Sequence, residues 1–144
     1  MVTVRQYLRI KGAQVWTTRP DDTVYEALQL MAEKDIGALL VVKGEQLVGI
    51  FSERDYARKI ALHGLSSKDT LVGEIMTSRV VYVLPENTIE ECMALMTENR
   101  FRHLPVIEEG RLVGLISIGD VVKSIISEQK FVIRQLEQYI MGER

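Results

Sequence analysis

Cysteine, proline and aromatic side chains are scarce in this 144-residue chain, and each scarcity removes a class of protein. A single cysteine, Cys92, leaves no internal disulfide framework and no cysteine-based zinc site, which suits a reducing compartment. Three prolines and the lack of a low-complexity run exclude a proline-rich or largely disordered chain. No apolar run approaches the roughly 18 residues of a membrane span, and Met1-Val2-Thr3-Val4-Arg5 lacks the apolar core of a signal peptide. A cytoplasmic protein that does not enter a membrane is therefore expected. The formal charge of −2 gives no global attraction to nucleic acid or to anionic lipid, so any anion site has to be local. The 47% apolar content is enough for one domain that buries roughly 70% of its unfolded surface.

What the chain does have is a repeat. Gly49-Ile50-Phe51-Ser52-Glu53-Arg54-Asp55 returns 65 residues later as Gly114-Leu115-Ile116-Ser117-Ile118-Gly119-Asp120. Pro20, Thr23, Glu26 and Leu30-Met31 match Pro85, Thr88, Glu91 and Leu95-Met96 at the same offset, with no gap needed between Val15 and Val121. Such self-similarity marks a duplicated supersecondary unit whose copies bury their apolar faces against each other. The chain divides into a lead-in helix (1–14), a first repeat (15–65), a link (66–79), a second repeat (80–128) and a helical extension (129–144).

Within this frame Thr3 caps a short helix that Lys11-Gly12-Ala13 ends. Val15 to Thr17 reads as a short strand. Thr23-Val24-Tyr25-Glu26 reads as a capping box that opens a helix with Val24, Ala27, Leu28, Leu30 and Met31 on one stripe. Ala38 to Val42 and Leu47 to Phe51 form a hairpin, and a helix from Ser52 to about Leu62 follows, closed by His63-Gly64. The second copy repeats the order: strand Val80 to Leu84, helix from Thr88 to Glu98, hairpin His103 to Ile107 with Leu112 to Ile116, and a long helix from Ser117 to about Met141. The expected fold is α+β, two β-α-β-β-α repeats packed about a pseudo-twofold axis. The last helix keeps apolar residues from Val121 to Ile140, more than a small domain needs, so part of it is expected to meet another chain.

Ser52 and Ser117 each end a strand and start a helix, so their hydroxyls sit beside free amides at a positive helix end. Asp55 and Asp120 follow three residues later, placed to accept both hydroxyls of a ribose, and Gly49 and Gly114 would admit a flat ring. The plainer reading of Ser-x-x-Asp is a helix cap, and one copy alone would favour it; recurrence of glycine, serine and aspartate favours a ligand. Phosphates need cations, for which Arg54, Arg102 and His103 are the candidates, while Arg58 and Lys59 are balanced between a ligand role and a solvated helix face. Gly119 stands where the first copy has Arg54, and Gly37-Ala38 where the second has Arg102-His103. The two clefts therefore cannot bind phosphate alike; either one is specialised or one stands empty.

The paired Gly-h-h-Ser-x-x-Asp motifs, the two Thr-x-x-Glu helix starts and Phe101-Arg102-His103-Leu104-Pro105-Val106-Ile107 resemble the tandem cystathionine-β-synthase (CBS) domain family, the Bateman module, from about Val2 to Gly142. The stretch Ser52 to Lys59 is similar to that of its small stand-alone members. The resemblance implies a non-catalytic regulatory module that binds an adenosine-containing ligand (AMP, ADP, ATP, NAD(H) or S-adenosylmethionine), dimerises through helices and acts on an unidentified partner protein. By position it implies Asp55, Asp120, Ser52 and Ser117 at ribose, and Arg54, Arg102 and His103 at phosphate. It implies adenine near Trp16, Thr17, Thr18, Ile36, Gly37 and Ala38 in one cleft, and near Val81, Val83 and Phe101 in the other.

The alternative, should both Ser-x-x-Asp motifs be helix caps only, is a ligand-independent interaction scaffold, and other classes fare less well. Ser117, Asp120 and His103 invite a triad, but serine and acid share one helical turn whereas a triad needs the histidine between them. His63 and His103 with one cysteine make no metal set. Arg5, Arg9 and Lys11 are too dispersed, and lack the aromatic platform, to signal nucleic acid. Cys92 falls on an inward helical stripe, as a small buried residue does.

Overall fold

Five of the six α-helix starts among the described residues are set by hydroxyl caps. In the computed structural model, which describes residues 1–12 and 14–141, Thr3 Oγ1 accepts the Gln6 amide at 3.2 Å and Gln6 Oε1 accepts the Thr3 amide at 2.9 Å. Helix α1 (Val4–Lys11) follows and stops at Gly12, whose φ of 96° favours glycine. The parts of the expected lead-in turn and C-terminal extension that fall on Ala13 and on residues 142–144 lie outside the described residues.

The first copy contains β1 (Thr17–Thr18), α2 (Val24–Lys34), β2 (Ala38–Lys43), β3 (Gln46–Ser52) and α3 (Glu53–Asp55), which passes into a π-helical turn over Tyr56–Ala61. After the link helix α4 (Val72–Ile75) come α5 (Ile89–Asn99), β4 (His103–Glu108), β5 (Arg111–Ser117) and the 23-residue α6 (Ile118–Ile140). Strands β1, β2 and β3 form one sheet and β4 with β5 another; both hairpins shift register at the same place, next to Val41 and next to Val106. The α+β architecture and the duplicated hairpins match the sequence pattern.

Four expectations change. The strand over Val80 to Leu84 shrinks to one parallel bridge, Val83 to Val106. Val83 donates to the Pro105 carbonyl at 2.9 Å and accepts from Ile107 at 3.0 Å. The next ladder bond would come from the amide of Pro105, which proline lacks. β1 starts at Thr17, two residues later than expected, because its parallel pairing to β2 spans only Thr17 with Leu40 and Thr18 with Val41. The helix after Ser52 is α-helical for one short turn only; the wider π turn carries Ile60 into the core and Lys59 towards Asp55. The Thr23 box is half made: Thr23 Oγ1 accepts the Glu26 amide, but Glu26 binds the Thr23 hydroxyl instead of its backbone.

Two cores result, and each borrows a helix from outside its repeat. Val24, Ala27, Met31, Leu39, Val41, Phe51 and Ile60 pack with Val72 and Ile75 of α4. Val83, Ile89, Cys92, Met96, Leu104, Val106, Ile116 and Val121 pack with Val4 and Leu8 of α1. The N-terminal helix thus closes the second copy, and matched backbone bonds show the equivalence: Val4 donates to Asn87 and Val72 to Asp22, both at 2.8 Å. Arg5 fastens α1 further through Glu86 and Glu108.

Gly49 and Gly114 are corrected in role. A Cβ on Gly114 would lie 2.7 Å from Leu8 Cδ1, and one on Gly49 would lie 2.7 Å from Met76 Sδ and 3.0 Å from the Thr77 carbonyl. The glycines admit the two lead-in segments, not a ring. Gly114→Ala is expected to destabilise the protein by about 1–3 kcal/mol through overpacking. Leu8→Ala in the same chain should recover part of that loss; chemical denaturation that found the two losses simply additive would contradict this docking.

Candidate functional site

Both Ser-x-x-Asp motifs form the cap that the plainer reading described. Ser52 Oγ accepts the Asp55 amide at 3.2 Å while Asp55 Oδ2 accepts the Ser52 amide at 3.0 Å. The other oxygen, Asp55 Oδ1, accepts from the Thr77 hydroxyl at 3.1 Å and pairs with Lys59 Nζ at 3.1 Å. Thr77 is positioned by a two-way backbone pairing with Ile50 across the edge of β3. Asp55 therefore sits fixed and nearly buried at the floor of an opening, with exchangeable hydroxyl and ammonium partners.

That opening is a cavity of about 600 Å³ between the repeats, within the range of small-molecule sites. It brings together Ser52, Arg54 and Asp55 of the first copy with Phe101, Arg102 and His103 of the second, so the ribose and phosphate candidates of opposite copies face one cleft. Gly37 and Val81 also line it. Trp16, Thr17, Thr18, Ile36, Ala38 and Val83 are not on its wall. Thr18 is buried and bonds Asp22 at 3.0 Å, Val83 is core, and the Trp16 ring lies under Lys34 Nζ at 4.3 Å.

The wall is strongly basic. Arg54, Arg58, Lys59, Arg79, Arg100 and Arg102 line it against two acids, Glu53 and Asp55. Such a surplus in a concave site concentrates anions even on a chain of net negative charge. Thr77, Arg79, Asn99 and Arg100 escaped the sequence reading because none belongs to the repeated motif. Arg100 takes a left-handed φ of 58° at the end of α5, where glycine or asparagine is usual.

The second copy is arranged differently. Asp120 Oδ2 accepts the Ser117 amide at 2.8 Å and pairs with Lys11 Nζ at 2.7 Å, while Oδ1 accepts from Tyr7 Oη at 3.2 Å. Lys11 also donates to the Leu115 carbonyl at 2.8 Å. Burial would raise Asp120, but the bonds from Lys11 and Ser117 outweigh it and hold the carboxyl below the usual range. Tyr7 is pushed up to about 12 by burial and by Asp120. His103 is held below the ordinary histidine range by burial and by Lys11, so at neutral pH it faces the first cleft as an uncharged imidazole rather than as a cation.

This geometry offers no triad, since both oxygens of Asp120 are taken by Ser117, Lys11 and Tyr7. Among the described residues no group of three or more His, Cys, Asp or Glu side chains is placed to hold a metal, and no helix is long and apolar enough to cross a membrane. Cys92 is fully buried and its thiol is pushed up to about 11, chiefly by burial. A carboxyl whose folded pKa is depressed contributes stability that is complete above its unfolded value near 3.9 and fades as pH falls below it. Urea unfolding at pH 7 and pH 3 should show an acid loss in the wild type that is smaller in Lys11→Ala; equal losses in the two proteins would contradict the pairing.

The chain matches the family model for the CBS domain twice, over residues 10–62 and 72–127. It is 48% identical over 136 residues to the CBS domain-containing protein CBSX3, mitochondrial, of Arabidopsis thaliana, covering 91% of this chain and 66% of that relative. A solved protein with CBS domains from Burkholderia ambifaria superposes with a TM-score of 0.85 at 56% identity, over 89% of this chain and 96% of that one. A hexameric CBS-CP12 protein from bloom-forming cyanobacteria superposes with a TM-score of 0.75 at 32% identity, over 85% of this chain and 70% of that one. Two duplicated hairpins, two Ser-x-x-Asp corners and a cleft between the copies thus have one common explanation: the chain belongs to the CBS domain family, as a paired CBS module.

Proposed function

We propose that this CBS pair is a non-catalytic sensor of adenine nucleotides, taking AMP, ADP, ATP or NAD(H) in the cleft at Asp55 and passing the bound state to a partner protein. The observation that supports it is a cavity of about 600 Å³ in which a capped carboxylate faces six cationic side chains. Asp55 would exchange Thr77 and Lys59 for the ribose hydroxyls, and Arg54 and Arg102 would meet the phosphates. Phe101 and Val81 supply the apolar wall against which a base can stack. A ligand at a hundred times its dissociation constant stabilises the bound form by about 2.7 kcal/mol, enough to bias a two-state element.

Signal output is assigned to α6. Val122, Ile126, Ile133, Leu136 and Ile140 are all exposed, and with Gln129 they recur at alternating steps of four and three residues. That spacing is the seam of a coiled coil, and an otherwise apolar seam on a helix projecting past its own repeat fits a second copy of this chain. The buried Cys92 and the absence of a spanning helix among the described residues fit the cytoplasm, and equally the organelle in the Arabidopsis relative's name.

Three outcomes test this reading. Adenine nucleotides should raise the melting temperature of the wild type, and Asp55→Ala should abolish the rise; no rise with any adenylate would contradict it. Arg100→Gly should relieve the left-handed strain and stabilise the free protein by up to about 1 kcal/mol while weakening ATP binding. If ATP affinity is unchanged, Arg100 does not serve the site. Leu136→Asp should convert the dimer to monomer in sedimentation velocity, and an unchanged sedimentation coefficient would place the interface elsewhere.

A further inference from the structure

The two copies share a motif but not its surroundings. Asp55 is met on one oxygen by Lys59 of its own helical segment and by the Thr77 hydroxyl of the link. Asp120 is met by two side chains of another element. Lys11 and Tyr7 project from α1, which is pinned by the buried Val4 and by Leu8 seated on Gly114. In the first copy the segment equivalent to α1 carries Arg79 at the place of Lys11, and Arg79 turns into the open cavity as part of its wall.

We propose that α1 is a built-in occupant of the second cleft: Lys11 and Tyr7 hold the two Asp120 oxygens that a ribose would need. Each chain then holds one nucleotide, at Asp55, and none at Asp120. The inference rests on the nucleotide reading of the Asp55 cleft and deepens it by setting its stoichiometry.

The charge pattern agrees. At the 65-residue offset, Arg54, Arg58, Lys59, Arg100 and Arg102 correspond to Gly119, Lys123, Ser124, Asp35 and Gly37, and Arg79 corresponds to Lys11 through the matched link and α1 segments. Two cations of six have counterparts, Lys123 and Lys11, of which Lys11 is already paired with Asp120; an acid is added, and Ser124 is buried. A phosphate entering there would meet little to bind it, while the ribose would have to displace an ammonium that also caps the Leu115 carbonyl. Withdrawing α1 as a whole would expose Val4 and Leu8, which complete the second core. The chain's own cation has replaced the ligand's role of satisfying Asp120.

Equilibrium dialysis with labelled adenosine tests this, because an uncharged nucleoside does not depend on the missing cations. The wild type should bind one equivalent per chain. The double variant Lys11→Ala with Tyr7→Phe keeps Val4 and Leu8, so α1 stays docked, and it should bind a second equivalent. Adding Asp120→Asn should remove that second equivalent alone. Two equivalents on the wild type, or one on the double variant, would overturn the inference while leaving the Asp55 site standing. No binding of adenosine to the wild type with one equivalent on the double variant would support the inference, and no binding to either would overturn it; the Asp55 reading is judged separately with ATP, whose phosphates meet the cations there. Should circular dichroism show the double variant unfolded, Lys11→Met alone is read in the same way.

Discussion

Each half of this protein is closed by a side chain seated against a glycine, where an added Cβ would force that side chain to shift. A CBS repeat of this size has a hairpin and two helices, too little to close the open face of its sheet. Leu8 closes the second copy over Gly114 and Met76 closes the first over Gly49, with predicted Cβ approaches of 2.7 Å in both cases. Once those segments are seated, the strands can end where they do and the corners Ser52 to Asp55 and Ser117 to Asp120 are fixed beside them. Function follows from what each seated segment carries next. After Met76 come Thr77 and Arg79, which leave a cavity; around Leu8 stand Tyr7 and Lys11, which fill the equivalent corner.

The duplicated motif was legible from sequence because its pattern is local. Hairpins, hydroxyl caps and amphipathic helices were visible at Thr3, Thr88, Ser52 and Ser117; the helices after Thr88 and Ser117 end within a residue of the expected place, whereas the one after Ser52 turns π-helical after a single turn. What was not legible is long-range. Nothing in residues 4–11 says that they pack 80 residues away on Ile89 and Val106, since their periodicity describes a face and not its partner. The same blindness misassigned the two glycines, whose neighbours come from segments distant in sequence. The loss of the strand before Leu84 was in principle readable, because Pro105 lies on the facing strand and removes one ladder donor.

The site was legible in the same proportion. Ser52, Asp55, Arg54, Arg102 and His103 were marked by motif, and they converge. Arg79, Arg100 and Thr77 come from the link and from a helix end, so only the fold gathers them. The charge of His103 was also beyond the sequence, because it is set by burial and by an ammonium from α1. The asymmetry between Arg54 and Gly119 hinted that the clefts differ; the identity of the group that satisfies Asp120 required the packing of α1.

The proposed function rests on one cavity, lined by six cationic side chains, that would receive an adenine nucleotide in a fixed orientation. A crystal structure of the protein grown with ATP tests it most directly. The account predicts ribose hydroxyls on Asp55, phosphates among Arg54, Arg79, Arg100 and Arg102, and the base towards Phe101, with Lys11 still on Asp120. Density for the nucleotide at Asp120 with the Asp55 cavity empty would contradict it.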